Sequence, residues 1–208
     1  MIDLISFVRH YTIMRSMIPT LSATAVLALL LASPADAAVV PRLDLADLVH
    51  SSEVIVQARV TRQWCAWDQD HKVIWTHYSL QVSDVLKGKP PFTVTLSEPG
   101  GEVGGKGMLV ADVTHYANQE EVVVFLHRTP VGYWRPYGWG QGKYTVRQSA
   151  SGAKQIYTNI GGMTLLERPK AGGQQRVTAV SPLRRLDGMG LSEFKYLVRG
   201  MANGAVVR

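Results

Sequence analysis

Ser52-Glu53-Val54-Ile55-Val56-Gln57-Ala58-Arg59-Val60 decides the fold class of this 208-residue chain. Val54, Val56, Ala58 and Val60 fall at every second position, mostly separated by polar residues. That is the period of a strand with one buried face. The polar stretch Asp68-Gln69-Asp70-His71 reads as a turn, and a second strand is predicted from Val73 to Leu86. Ile74, Thr76, Tyr78, Leu80 and Val82 would share its inner face, leaving Trp75, His77 and Ser79 outward. Lys87-Gly88-Lys89-Pro90-Pro91 turns the chain into a third strand marked by Phe92, Val94 and Leu96.

Further along, Glu120 to His127 reads as a core strand, with the unbroken apolar run Val122-Val123-Val124-Phe125-Leu126. Tyr133 to Tyr137 and Lys143 to Arg147 are predicted as a strand pair joined by Gly138-Trp139-Gly140-Gln141-Gly142. A weaker pair is expected around Gln155 to Ile160 and Met163 to Leu166, and a mobile loop over 168–176. Helical signals occur only near the ends. Leu43, Leu45, Leu48 and Val49 share one helical face, with Asp44 or Asp47 near the start and Ser51-Ser52 at the stop. Ser192 is the expected cap of a last helix near 191–203, running from Glu193 to Ala202 and ending at Asn203-Gly204. Short strands, frequent turns and terminal helices predict a mainly β domain, a small barrel or sandwich.

Residues 1–37 read differently. Arg9 and Arg15 precede an apolar run from Ile18 to Ala32, Pro34 breaks it, and Ala35-Asp36-Ala37 follows. This order predicts a secretory signal peptide cleaved before Ala38, with Met1, Met14 and Met17 as alternative starts. The run is shorter than a membrane span and is interrupted by Pro19, Thr20, Ser22 and Thr24. The expectation is a single exported domain over 38–208, periplasmic or extracellular, with no membrane span after cleavage. Cleavage would remove as many acidic as basic residues, leaving the net charge at +6. A basic surface favours acidic partners. The basic residues form no continuous run, so no nucleic-acid partner is expected.

Cys65 is the sole cysteine, so an intramolecular disulfide is excluded. It is either a half-buried filler or a thiol that pairs with another chain. Gly100-Gly101-Glu102-Val103-Gly104-Gly105-Lys106-Gly107 has neither the Gly-Lys-Ser/Thr ending of a P-loop nor the βα context of a dinucleotide site. Its glycines are expected to serve backbone geometry. His50, His71, His77, His115 and His127 form no H-x-x-x-H or H-x-H pair. His71 with Asp68 and Asp70 could hold a metal at a hairpin tip or could form a plain polar turn; no metal or cofactor is expected. No G-x-S-x-G elbow is present, and no catalytic residue is expected.

The strand Ser52 to Val60, followed by Tyr78-Ser79-Leu80-Gln81-Val82 and Val85-Leu86-Lys87-Gly88, resembles the first hairpin of the netrin-like domain. That domain is the OB-type barrel of the tissue inhibitors of metalloproteinases. The resemblance covers residues 50–98, with Val122 to Leu126 as a later match, and implies an OB-like barrel. Those inhibitors chelate zinc through an N-terminal cysteine; here Ala38-Val39-Val40-Pro41 stands at the expected start, so only the fold carries over. The chain is also similar to exported bacterial proteins without an assigned activity. They share Gly100-Gly101-Glu102-Val103-Gly104-Gly105, an apolar strand ending Phe125-Leu126, and Gln141-Gly142-Lys143-Tyr144.

Tyr133, Trp134, Tyr137, Trp139 and Tyr144 crowd around Arg135 and Lys143. So many aromatics exceed what one hairpin can bury, so they either pack over one open end of the barrel or lie in part at the surface, where Trp and Tyr beside Arg mark binding. The expected binding residues are therefore Tyr133, Trp134, Arg135, Tyr137, Trp139 and Lys143, with Pro136 placing the stretch at an edge or bulge. Replacing Trp139 or Arg135 would then weaken binding at little cost in stability. The expected function is an exported non-catalytic module that binds another exported protein, with a secreted protease as one form of partner. The alternatives are a module for cell-envelope polysaccharide or another anionic polymer, and a hydrolase with an unrecognised site.

Overall fold

The computed structural model describes residues 39–158, 160, 164–166, 177–178 and 182–204. The expected signal peptide and the loop expected at 168–176 lie outside these residues.

The founding hairpin is longer than its alternation suggested. β2 (Val54–Trp67) pairs antiparallel with β3 (Ile74–Lys87), and register shifts occur between Ile55 and Val56, Gln57 and Ala58, and Val60 and Arg62. Such bulges add twist and let long strands curl. The turn is closed by Asp68, whose carboxylate accepts from the Lys72 amide at 2.7 Å. His71 turns through a positive φ of 55° and stacks on Trp67. No group of three or more His, Cys, Asp or Glu able to hold a metal ion occurs among the described residues.

β4 (Thr93–Pro99) pairs antiparallel with β3, and β7 (Glu121–Arg128) with the other edge of β2. β8 (Trp134–Pro136) then joins the two ends. It pairs antiparallel with β7 and parallel with β4 through Leu96 and Trp134. The seven-stranded sheet is thereby partly ringed, and it continues through β9 (Lys143–Gln148) to β10 (Lys154–Thr158). β1 (Val39–Pro41), β11 (Thr164–Leu166) and β12 (Val177–Thr178) make a small separate sheet, and β5 (Gly101–Val103) with β6 (Lys106–Met108) a hairpin.

Two sequence expectations fail here. β8 and β9 are not a hairpin. Both lie on the same edge of β7, β8 against residues 126–128 and β9 against 122–124. Gly138 and Trp139 are consecutive left-handed residues, at φ 69° and 62°, and a 3-10 turn over Trp139–Gly142 carries the chain sideways. A Cβ on Gly142 would overlap the Tyr137 carbonyl, so the turn closes only on glycine. The expected pair around 155–160 and 163–166 also separates. β10 pairs with β9, and β11 with β1 and β12.

Alternation divides the buried side chains between two cores. Val54, Val56, Ala58 and Val60 face an inner core with Leu80, Val94, Leu96, Val122, Val124 and Leu126. Ile55, Val123 and Phe125 face an outer core covered by helices. Both faces of β7 are buried, which accounts for its unbroken apolar run. The first helix, α1 (Leu45–Ser51), buries Leu45, Leu48 and Val49. Asp44 is its N-cap: its carboxylate accepts from the Asp47 amide at 2.8 Å, and Asp47 returns the bond to the Asp44 amide. The second, α2 (Leu191–Ala202), buries Leu191, Phe194 and Val198. Its N-cap is Gly190 and not Ser192, because a bridge between Gly190 and Gln155 starts the helix earlier. Asp84 on β3 anchors it through Lys195 at 2.8 Å and Arg199 at 2.6 Å. Burial would raise the Asp84 carboxyl, but these two cations more than offset it and hold it below its ordinary value. No helix among the described residues is long and apolar enough to cross a membrane.

Phe92, expected with Val94 and Leu96 to mark the third strand, precedes β4 and is exposed. The glycine-rich segment forms the β5–β6 hairpin, with positive φ at Gly100, Gly101, Gly104 and Gly105. Gly101 lies directly over Cys65 and Thr76, where a Cβ would overlap both side chains.

Candidate functional site

The structure does not gather the six expected binding residues on one surface. Arg135 turns to β4, where its Nη2 and Nε donate to Glu98 Oε2 at 2.7 and 3.1 Å. Its guanidinium also lies over the Trp139 ring at 5.1 Å. Trp139 and Tyr137 pack against the outer core, and Tyr137 meets His127 edge-on. Lys143, on β9, is buried: its Nζ donates to the Glu120 carboxylate at 2.9 Å and to the His115 carbonyl at 2.7 Å. Burial lowers the Lys143 ammonium and the Glu120 carboxylate opposes that shift. Lys143 is thus buried within the fold, while Arg135 and Trp139 are half-buried and make contacts inside it. The sequence could not reveal this, because their partners are distant along the chain, Glu98 on β4 and Glu120 just before β7.

Tyr133 and Trp134 are both half-buried: Trp134 packs against the inner core, and Tyr133 meets residues of the founding hairpin. Tyr133 contacts Trp75 edge-on at 4.7 Å and His77 at 5.8 Å. His77 stacks on its cross-strand neighbour Trp64 at 5.2 Å, with the rings 27° apart. Trp64, His77, Tyr133 and Trp134 line a groove of about 470 Å³ whose floor carries Thr93, Thr95 and Ser97. His77 lies on the outward face expected for it, opposite Tyr78 and Leu80, and is buried there. Its Nδ1 is 2.8 Å from Ser97 Oγ, and burial lowers its pKa. The two tryptophans carry cations: Arg62 lies over Trp64 at 5.0 Å and Arg128 over Trp134 at 4.4 Å. Arg62 and Arg128 are exposed. Alternation held the signal for this half of the site, since Trp64, Arg62 and His77 occupy one face of the β2–β3 pair.

The opposite face of the same strands opens into a second cavity, of about 600 Å³, lined by Cys65, Thr76, Tyr78 and Glu98. Cys65 is a free, half-buried thiol, with Sγ 3.4 Å from Thr76 Oγ1. Glu98 is 2% exposed. Burial raises its carboxyl from 4.5 to about 7, against the opposing pull of Arg135. The sequence reading missed Glu98, although it follows Val94 and Leu96 at the same two-residue spacing. A carboxylate at the next core-facing position was the available signal.

A pH effect follows. Folded, Glu98 keeps its proton up to about pH 7; unfolded, it loses it near 4.5. Its contribution to stability is therefore full below pH 4.5 and is lost as pH rises to about 7. The loss is on the order of 3 kcal/mol. His77 and His127, both lowered chiefly by burial, act in the opposite sense below pH 6.5. Comparing the wild type with Glu98→Gln isolates the carboxyl. Urea unfolding between pH 4.5 and 8 should show the wild type losing stability relative to the variant as pH rises, and parallel profiles would refute the shift.

No family model and no curated protein matches this chain.

Proposed function

We propose that the ringed sheet is a small OB-like barrel of the netrin-like kind, and that the domain is an exported, non-catalytic module that binds another exported protein of acidic character. The barrel reading is supported by the pairing path from β7 through β2, β3 and β4 to β8 and back to β7. The observation that carries the binding reading is the outer groove with its two arginine-capped tryptophans. Trp, Tyr and Arg together are the residue types that dominate protein interfaces. Phe92 and Val131, which adjoin groove-lining residues in sequence, are large apolar side chains left exposed. The guanidiniums over the rings favour carboxylates, in keeping with the net charge of +6. They also occupy ring faces on which a sugar would stack, which sets the polysaccharide alternative second. A secreted protease as the partner rests on the inhibitor resemblance alone.

Affinity capture from the exported fraction tests this, using the immobilised domain and an Arg62→Glu/Arg128→Glu variant. The wild type should retain an acidic protein, released by salt. The variant should bind it with at least about 2 kcal/mol less free energy, the scale of an interface hot spot. Equal capture by both proteins, or retention of polysaccharide alone, would overturn the reading.

A further inference from the structure

We propose that two copies of this chain pair edge to edge through the far half of β2, antiparallel about a two-fold axis at Cys65. β7 covers β2 only from Val54 to Arg59. The next backbone bonds on that edge join Val60 to Gln119 and Glu120. Beyond Val60 the strand pairs with β3 alone, as far as Trp67. An open edge of this kind is a template for another strand.

Alternation fixes which backbone groups are free, because successive residues turn theirs to opposite edges of a strand. The Asp68 amide donates to the Val73 carbonyl, on the β3 side. Ala66 and Trp64 therefore bond to β3, while Gln63, Cys65 and Trp67 turn their backbone groups to the open edge. Among the described residues, none of these three forms a backbone hydrogen bond on that edge. With Cys65 opposite its own copy, their amides and carbonyls would bond in reciprocal pairs.

Charge and size choose a second copy as the occupant. In this register Arg62 stands opposite Asp68 of the other copy, and Trp64 opposite Ala66, a large ring against a small side chain. Within one chain Arg62 rests on the Trp64 ring, and Asp68 accepts from the Lys72 amide. Neither forms an ion pair among the described residues, so each charge is available to the other copy. Opposite charges across a strand pair are favourable, and the two-fold axis forms this one twice. An axis at Trp67 would instead set Arg62 against Lys72. An axis at Gln63 would set Asp68 against Ala58, whose edge β7 already covers.

The test is sedimentation velocity of the purified protein under reductant, with amide exchange read on the same samples. The protein should pass from monomer to dimer as its concentration rises. The amides of Gln63, Cys65 and Trp67 should gain protection in step, while those of Trp64 and Ala66 stay protected throughout. Gln63→Pro removes an edge donor and no bond to β3, and should abolish the dimer. It leaves the groove residues in place and should still capture the acidic protein, so failure here is distinct from failure of the groove. Arg62→Asp should raise the dissociation constant of the dimer on the order of tenfold. Arg62→Asp/Asp68→Arg should recover most of that loss, even if Gln63→Pro fails to fold. A monomer at every concentration, or a dimer that forms without protection of these amides or is unaffected by Arg62→Asp, would overturn the proposal.

Discussion

Replacing Lys143 by alanine is expected to destabilise the domain by about 3–5 kcal/mol, the usual cost of stranding one member of a buried ion pair. Lys143 is 2% exposed, and its ammonium lies 2.9 Å from the Glu120 carboxylate and 4.4 Å from the Tyr116 ring centre. Glu120 also accepts from Thr145 Oγ1 at 2.7 Å and from the Ala117 amide at 2.9 Å, so the pair ties β9 to the segment that precedes β7. With Lys143 gone, Glu120 keeps its burial and loses its counter-charge. The double variant Lys143→Met/Glu120→Gln removes both charges and should recover most of the loss. Denaturant unfolding of the three proteins decides the matter. If Lys143→Ala shifted stability by no more than about 0.5 kcal/mol, as surface substitutions do, Lys143 would return to the binding surface.

The second large effect is expected at Phe194. It is fully buried and lies 4.7 Å from the Tyr144 ring and 6.3 Å from the Phe125 ring. These three aromatics join α2 to β7 and β9. Phe194→Ala should cost about 3–5 kcal/mol, the range for emptying a buried aromatic site. Because α2 covers the outer core and not the groove, the folded variant should bind its partner with unchanged affinity. A small loss of stability would mean that α2 is not docked on the sheet.

What was legible in the sequence follows from distance along the chain. The Val54 to Val60 alternation, the doubly buried β7 run and the Asp44 cap are local patterns, and each appears in the fold. The path after Pro136 was not legible, because it turns on two successive left-handed residues, one of which is a tryptophan. Aromatic and basic residues around 133–143 were read as one surface because they are close in sequence. Strand pairing separates them: Tyr133 meets β3, Arg135 meets Glu98 on β4, and Lys143 meets Glu120 beside β7. Trp64 and His77 were overlooked as members of the site since their neighbours in the groove are distant in sequence.

On the proposed reading the domain binds its partner through the outer groove, while Arg135, Trp139 and Lys143 hold the fold. Amide hydrogen exchange of the domain, alone and with the captured protein, tests it most directly. Protection is predicted to increase over residues 91–97 and 129–134 and to stay unchanged over 100–110. Added protection confined to 100–110, with none at Thr93, Thr95 or Tyr133, would contradict the account.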